Sequence, residues 1–533
     1  TEEQVKALTS AQVSSLTAVK VGSTGLGGAD LSQLTPAALA GLTKTNITGL
    51  DIANLTGDNQ FTALTSTQIG LLSTTQVPLI TADQAAVLTP TQAAGITAKQ
   101  APYIEATDLG ALSPKAFAAL PADAIGALLD ATNLQIQAIT PEQSALMTTA
   151  QAKALTGGVI DSLTTDAFVA LTPAALAAIP AEAIDNVTAT AFGNLSAAQV
   201  AAMTPAQFAV LTANQLAELT IAQTAAITSA QIKVLDGTDI AALTSDAISA
   251  LSPAAISAIA TAAFDDIKNE AFGLFTPAQI RAMTPAQVAA IDNGQVPYIG
   301  VDQASALTSA QFAKLSAASA LVLSSDAIGA LTPAVVGSLK VDSYTALQAS
   351  YLTATNAPGI TSKQIALLST ADAQVAGLTA DFIGKLTPTA FKGFNASQID
   401  GLTTDAVAAI TGAQIAVLST TQLEALTQAQ SNVLGTDALA YLKGKGYTTL
   451  SSTSATTSGV ETSKIVAGPA TASLITAGSK AASIVGGSAN DTINGSAAAD
   501  TISGGAGNDS FTVNAAMLMA LKSRMGTGGN ITQ

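Results

Sequence analysis

Apolar residues return along this chain every eight positions, and a second apolar residue stands five positions after each of them. From Ile139 to Leu347 the first of these positions recurs without a slip, a span of 208 residues or 26 octads. The octad Met283-Thr284-Pro285-Ala286-Gln287-Val288-Ala289-Ala290, followed by Ile291, shows the grammar. With Met283 as position one, Thr284 is a helix N-cap, and Pro285 takes the first helical position, where its missing N–H costs nothing. Gln287 has capping-box spacing from Thr284, and Met283 with Val288 makes the pair that staples a helix start. Val288 and Ile291, three apart, share one face. The same order returns at 203–208, 275–280 and 410–415. At 243–248 the Gln gives way to Ala247, and Asp246 enters the first turn, where its charge suits the helix dipole.

Each octad therefore predicts one capped helical turn that hands over at once to the next cap. Isolated helices shorter than about 12–15 residues are marginal in water, so such turns must stack. The expected architecture is a repeat solenoid, mainly α, built from one-turn helices. The alternative is a β-solenoid throughout, with Thr and Leu on short strands. Spacings of five and three do not alternate with the period of a strand, and Ala and Gln are poor strand formers. The octad frame runs from near Leu8 to about Leu442. It slips between Leu16 and Leu26, Leu50 and Leu64, Leu128 and Ile139, Leu347 and Leu352, and Leu368 and Leu378, where bends or loops are expected.

Composition narrows the chemistry. Aromatics are 4% of the 533 residues and Trp is absent, so the core must be built from small aliphatic side chains. Charged residues are 11%, less than half the usual share. The net charge of −16 repels nucleic acid and anionic membranes and favours cations. Zero Cys and zero His remove disulfides, thiolate metal sites, the usual general base and the familiar catalytic triads. The Asp and Glu residues are dispersed through the repeats, so no enzyme is expected. No run of about 18 apolar residues exists to span a membrane. Thr1-Glu2-Glu3-Gln4 lacks the basic and apolar regions of a secretory signal peptide.

After Gly446 the composition turns to Thr and Ser, which reads as a linker over 447–467 or the opening of a new domain. A nine-residue period follows, marked by Ile475, Ile484, Ile493, Ile502 and Phe511. Its informative rungs are 486–494 (Gly-Gly-Ser-Ala-Asn-Asp-Thr-Ile-Asn), 495–503, and 504–512 (Gly-Gly-Ala-Gly-Asn-Asp-Ser-Phe-Thr). Glycines let the backbone turn tightly, a carboxylate supplies hard oxygen ligands, and the apolar residue fills the coil. The pattern resembles the RTX nonapeptide G-G-x-G-x-D-x-U-x of the hemolysin-type calcium-binding family. The third rung matches fully. The first has Ala489 at the fourth position, and the second has Ser496 and Ala498 where Gly is expected. The rungs at 468–476 and 477–485 keep the period without an Asp.

The resemblance implies a short parallel β-roll over 468–513 that binds Ca2+ between turns. Its ligands would be Asp491, Asp500 and Asp509, with Gly486, Asn490, Gly504, Gly505, Gly507 and Asn508 shaping the turns. It also implies type I secretion from a Gram-negative bacterium, with 514–533 a C-terminal tail that carries the export signal or caps the coil. The octads of 1–446 would then be displayed outside the cell.

Uniform octads offer a surface and no local asymmetry for an active site. Three readings follow. The first is a self-associating subunit of a surface layer, sheath or extracellular filament, with a cell-surface polysaccharide as a candidate anchor. It is similar to type I-secreted bacterial S-layer proteins, which are Cys-free, acidic and rich in Ala and Thr. The second is the stalk of an RTX adhesin, and the third an ice-binding solenoid that presents Thr on a flat face. The stretch 283–291 also looks like the opening of a TAL-effector DNA-binding repeat. Those repeats are several times longer and basic, so the likeness reflects a shared helix cap.

Overall fold

A computed structural model of the chain describes residues 2–16, 33–56, 59–128, 134–338, 351–370, 374–445, 447–449, 456–460, 464–466, 474–477, 483–485, 490–494, 501–504, 507–512 and 530–532. Among these residues the octads fold as helices of three to six residues, apart from the nine-residue Thr436–Gly444, and no strand precedes Tyr447. The β alternative is thereby set aside for the octads. The capped turns form where the sequence places them. Pro285–Ala290 has Thr284 as N-cap, Pro at its start and a complete capping box with Gln287. Met283, Val288 and Ile291 are all buried. The variant octad forms Ser245–Ser249, capped by Thr244 with Asp246 in its first turn.

The capping-box Gln does more than close its own turn. Gln231 accepts at Oε1 from the backbone N–H and the hydroxyl of Thr228, at 2.7 and 2.9 Å. Its Nε2 donates to the carbonyls of Val200 and Met203, at 2.8 and 2.7 Å, which lie 31 and 28 residues earlier. Those carbonyls lie at the last turn of Ala197–Ala202, where the Val200 carbonyl also accepts from the Met203 N–H at 3.2 Å. Gln207 binds Leu176 and Ile179 in the same way, and Gln215 binds Ile184 and Val187. Each such Gln is buried, and both oxygen and nitrogen of its amide are used. That satisfies the condition for an inexpensive buried amide.

The rungs stack with a spacing of three helices. Thr149–Lys153 packs on Pro173–Ala178, which packs on Ala197–Ala202, then Ile221–Ala225, then Ser245–Ser249. Where Gln is absent, position five is often a buried Ala, as at Ala175 and Ala247. Insertions change the reach of the ladder and not its partners. Past 129–133, which lie outside the described residues, Gln135 finds Ala101 and Ile104 at separations of 34 and 31.

Two compact units divide the chain, Thr1–Leu274 and Phe275–Gln533, so the boundary falls inside the octad array. The second unit repeats the same ladder. Gln311 bonds to Ile280 and Met283, and Gln414 to Ile383 and Leu386. It then changes to strands. β1 (Tyr447–Thr449), β3 (Lys464–Val466), β5 (Ser483–Val485) and β7 (Thr501–Ser503) form one parallel sheet. β2 (Thr456–Val460), β4 (Leu474–Ala477), β6 (Thr492–Asn494), β8 (Ser510–Thr512) and β9 (Asn530–Thr532) form a second. The chain thus crosses from one sheet to the other with each strand up to β8. Between β4 and β8, partners are 18 residues apart (Ile475 to Ile493 to Phe511), two nonapeptides per turn.

Two open readings narrow here. The stretch 447–467, read as a linker or the opening of a new domain, carries three strands paired into these sheets. β2 ends at Val460 and β3 holds Ile465 and Val466, while the Gly-Gly pair and the Asp that mark the later rungs are missing. The tail read as 514–533 contributes β9, which pairs in parallel with β8 and extends the second sheet.

Candidate calcium-binding site

The rungs before β6 and β8 carry the same tripeptide start: Asn490-Asp491-Thr492 and Asn508-Asp509-Ser510. Parallel pairing of Thr492 with Ser510 brings the two acids side by side, one turn of the coil apart. The backbone N–H of Asp491 donates to Asp509 Oδ1 at 2.9 Å. The N–H of Asn508 donates to Asn490 Oδ1 at 2.7 Å, and the N–H of Ser510 to the Asp491 carbonyl at 2.7 Å. Both carboxylates are buried, at 1% and 5% exposure, and both asparagines are exposed. Between them Ile493 is fully buried, and its pairing with Phe511 fixes the register.

Two glycines fit the turn to these acids. Gly507 has φ 115°, a conformation that L side chains rarely adopt. A Cβ on Gly504 would strike Asp509 Oδ2, with Asp509 Cγ at 2.7 Å and Phe511 Cζ at 2.8 Å. Only a hydrogen at that position leaves the carboxylate where it is. Burial raises the Asp509 carboxyl above the usual carboxylate range, the hydrogen bond from Asp491 N–H lowers it, and the neighbouring Asp491 charge raises it.

Calcium takes six to eight oxygen ligands, carboxylates and backbone carbonyls among them. Two buried like charges against a backbone turn that tolerates no side chain fit such an ion. Asp491 and Asp509 would hold it, with backbone carbonyls of the glycine turns completing the shell. A bound calcium ion would supply positive charge against the repulsion between Asp491 and Asp509.

Of the residues expected at the site, the structure brings together Asp491, Asp509, Asn490, Asn508, Gly504 and Gly507. Asp500, Gly486 and Gly505 lie outside the described residues. The rung of Asp500 leads into β7, which belongs to the sheet opposite that of β6 and β8. A cluster of three or more acidic ligands does not occur among the described residues. Alternate nonapeptides, and not successive ones, are neighbours in the coil. The signal was present in the two interleaved ladders, Ile475–Ile493–Phe511 and Ile465–Ile484–Ile502.

Among the described residues no helix is long and apolar enough to cross a membrane. No curated protein matches the chain. Residues 476–512 match the family model of the RTX calcium-binding nonapeptide repeat in four copies, and this C-terminal segment is thus an RTX-type repeat that takes Ca2+.

Proposed function

We propose that the chain is a secreted structural subunit that folds its C-terminal coil on meeting calcium and assembles into a surface layer, sheath or filament. Proteins with RTX repeats are typically secreted, which fits a calcium-rich destination. In this reading the octads of each compact unit form a solenoid and the strands a β-roll. The observation that carries it is the Gln ladder. Repeated polar side chains at positions two and five are spent on one another and on backbone carbonyls, as in Thr228–Gln231–Met203. What remains outward is a repetitive, weakly charged face suited to lateral packing and not to catalysis. The same geometry speaks against ice binding, because cap hydroxyls such as that of Thr228 turn back to Gln231 Oε1.

The test is negative-stain electron microscopy of the purified chain, in millimolar calcium and then with chelator. Ordered sheets or filaments that dissolve on chelation are expected. Dispersed thin rods in both conditions would overturn assembly and favour the adhesin stalk.

A further inference from the structure

Position five of the octad is where the ladder Gln stands, and among the described residues an acid takes it twice: at Asp239, half-buried and boxed with its cap Asp236, and at Asp108, which is buried. Ala106–Ala111 follows Glu105, which makes no side-chain cap, and carries Asp108 at the place that Gln100 takes one octad earlier and Ala116 one octad later. Gln100, one octad earlier, donates to the carbonyls of Ile69 and Leu72, and Gln135 to those of Ala101 and Ile104. By the same offsets of 31 and 28 residues, Asp108 is set against the carbonyls of Val77 and Ile80. An amide with two N–H donors has been replaced by a shorter carboxyl group.

The consequences are visible in the core. Asp108 is 4% exposed, and its Oδ2 has no hydrogen-bond partner. Beside it lies a cavity of about 30 Å³, lined by Val77, Ile80, Gln100, Ile104, Asp108 and Leu112 among others. The missing methylene accounts for the cavity, which has room for one water molecule. Gln100 cannot supply a donor. Its nitrogen is committed to Ile69 and Leu72, and its oxygen accepts from Thr97. Asp108 Oδ2 thus stands without a donor in a largely aliphatic lining, beside Ile80 and beside Val77, whose carbonyl accepts from the Ile80 N–H at 3.1 Å. Three oxygens are too few for calcium. A proton meets the need.

We propose that Asp108 is a proton-carrying rung, whose neutral carboxyl donates across this cavity toward the Val77 and Ile80 carbonyls and loses that bond when it ionises. Residues 77–112 then form a joint that is tight in mild acid and loosens toward alkaline pH. Burial, and secondarily the Glu105 charge, raise the Asp108 carboxyl to about 6. The charged groups around it are few. Glu105 is exposed on the same turn, and Ala82–Ala86, packed against it, brings only the exposed Asp83. Ile136–Ala138, the other packed element, brings none.

A group raised in the folded state contributes stability below its unfolded value, and that stability is lost as pH rises through the folded value. Much of the loss falls between 3.8 and about 6. From about pH 5 to about pH 7.5 the remaining change is about tenfold in the opening equilibrium of this rung.

Hydrogen–deuterium exchange on the full chain tests the proposal, with rates corrected for intrinsic pH dependence. Peptides covering 97–112 are compared with peptides covering 197–232, in wild type and in D108N, which keeps the shape and supplies a donor. In wild type the 97–112 opening should rise about tenfold across that range while 197–232 stays flat, and D108N should remove the rise. D108Q, which restores the neighbouring rung chemistry, serves the same comparison if D108N fails to fold, and the wild-type profile decides if both fail. A flat wild-type profile overturns the proposal, because the carboxylate is then charged at both pH values. A wild-type rise that calcium abolishes and chelator restores also overturns it, in favour of a cation.

Discussion

Gln231 and Met203 are 28 residues apart in sequence and joined by a 2.7 Å hydrogen bond from side-chain amide to backbone carbonyl. The same amide caps the helix of Gln231 itself through Thr228. One side chain thus finishes the start of one helix and the end of another, one turn of the stack away. A helix of four residues leaves most of its backbone groups without internal partners. The ladder supplies several of them, which is how helices this short persist in water.

Replacing Gln231 by Leu keeps the volume and deletes these bonds. The carbonyl of Met203 and the N–H of Thr228 lose their partners, at a cost of about 1–3 kcal/mol. Urea unfolding followed by circular dichroism should show the lower midpoint. Q231E retains the acceptor for Thr228 but sets a carboxylate oxygen against two carbonyls. Its folded-state pKa must rise, so its destabilisation should be small in acid and grow as pH increases.

Thr228 and Gln231 act as a unit, because each accepts from the other's backbone N–H. T228A alone should cost about 1 kcal/mol, the usual value for a lost N-cap. Combined with Q231A, the two losses should fall short of additive by about 0.5 kcal/mol or more, as in residues of one hydrogen-bond network. T204S, by contrast, keeps the cap at Gln207 and should be nearly neutral. Equal single and summed effects in the cycle would mean that the two residues stabilise separate helices.

Much of this fold could be read from the chain because the cap chemistry is local. Thr284, Pro285 and Gln287 specify a helix start within four residues. The second half of the Gln contact could not be read, since its partners at 28 and 31 residues are backbone carbonyls and carry no side-chain signature. The strands at 447–466 were missed for a related reason. They hold their places by parallel pairing, as with Ile465 and Ile484, without the Gly-Gly pair and the Asp that marked the later rungs. At the calcium site the period of nine was visible, but the turn of the coil is 18. Asp491 therefore meets Asp509, while the rung between them leads to the other sheet. Asp108 went unnoticed because a polar residue at position five conforms to the octad, and only its lack of a donor sets it apart.

Gly504 and Gly507 constrain the site by different means, so their Ala substitutions should fail differently. In G504A the new methyl strikes Asp509 and Phe511, displacing a ligand while the backbone remains allowed. Calcium affinity should fall about tenfold or more, about 1.4 kcal/mol. In G507A the backbone at φ 115° becomes strained by about 1–3 kcal/mol. Loss of stability should then appear with and without the ion. Calorimetric titration with calcium, alongside thermal unfolding in chelator, separates the two.

Asp491 and Asp509 together make folding of the coil depend on calcium and on pH in opposite senses. Without the ion, the Asp509 carboxyl is held above its usual range, by burial first and by the Asp491 charge as well. A raised folded value stabilises in acid, and the benefit is lost as pH rises through it. The chelated coil should therefore lose stability as pH rises from the usual carboxylate range toward neutral. Calcium needs the carboxylates ionised, so its affinity should climb over the same interval, and the loaded coil should gain stability where the chelated one loses it. D491N combined with D509N removes both charges. The doubly substituted chain should bind calcium at least about tenfold more weakly and show a flatter pH profile in chelator. Unchanged calcium affinity in that variant would place the ion on other residues of the coil.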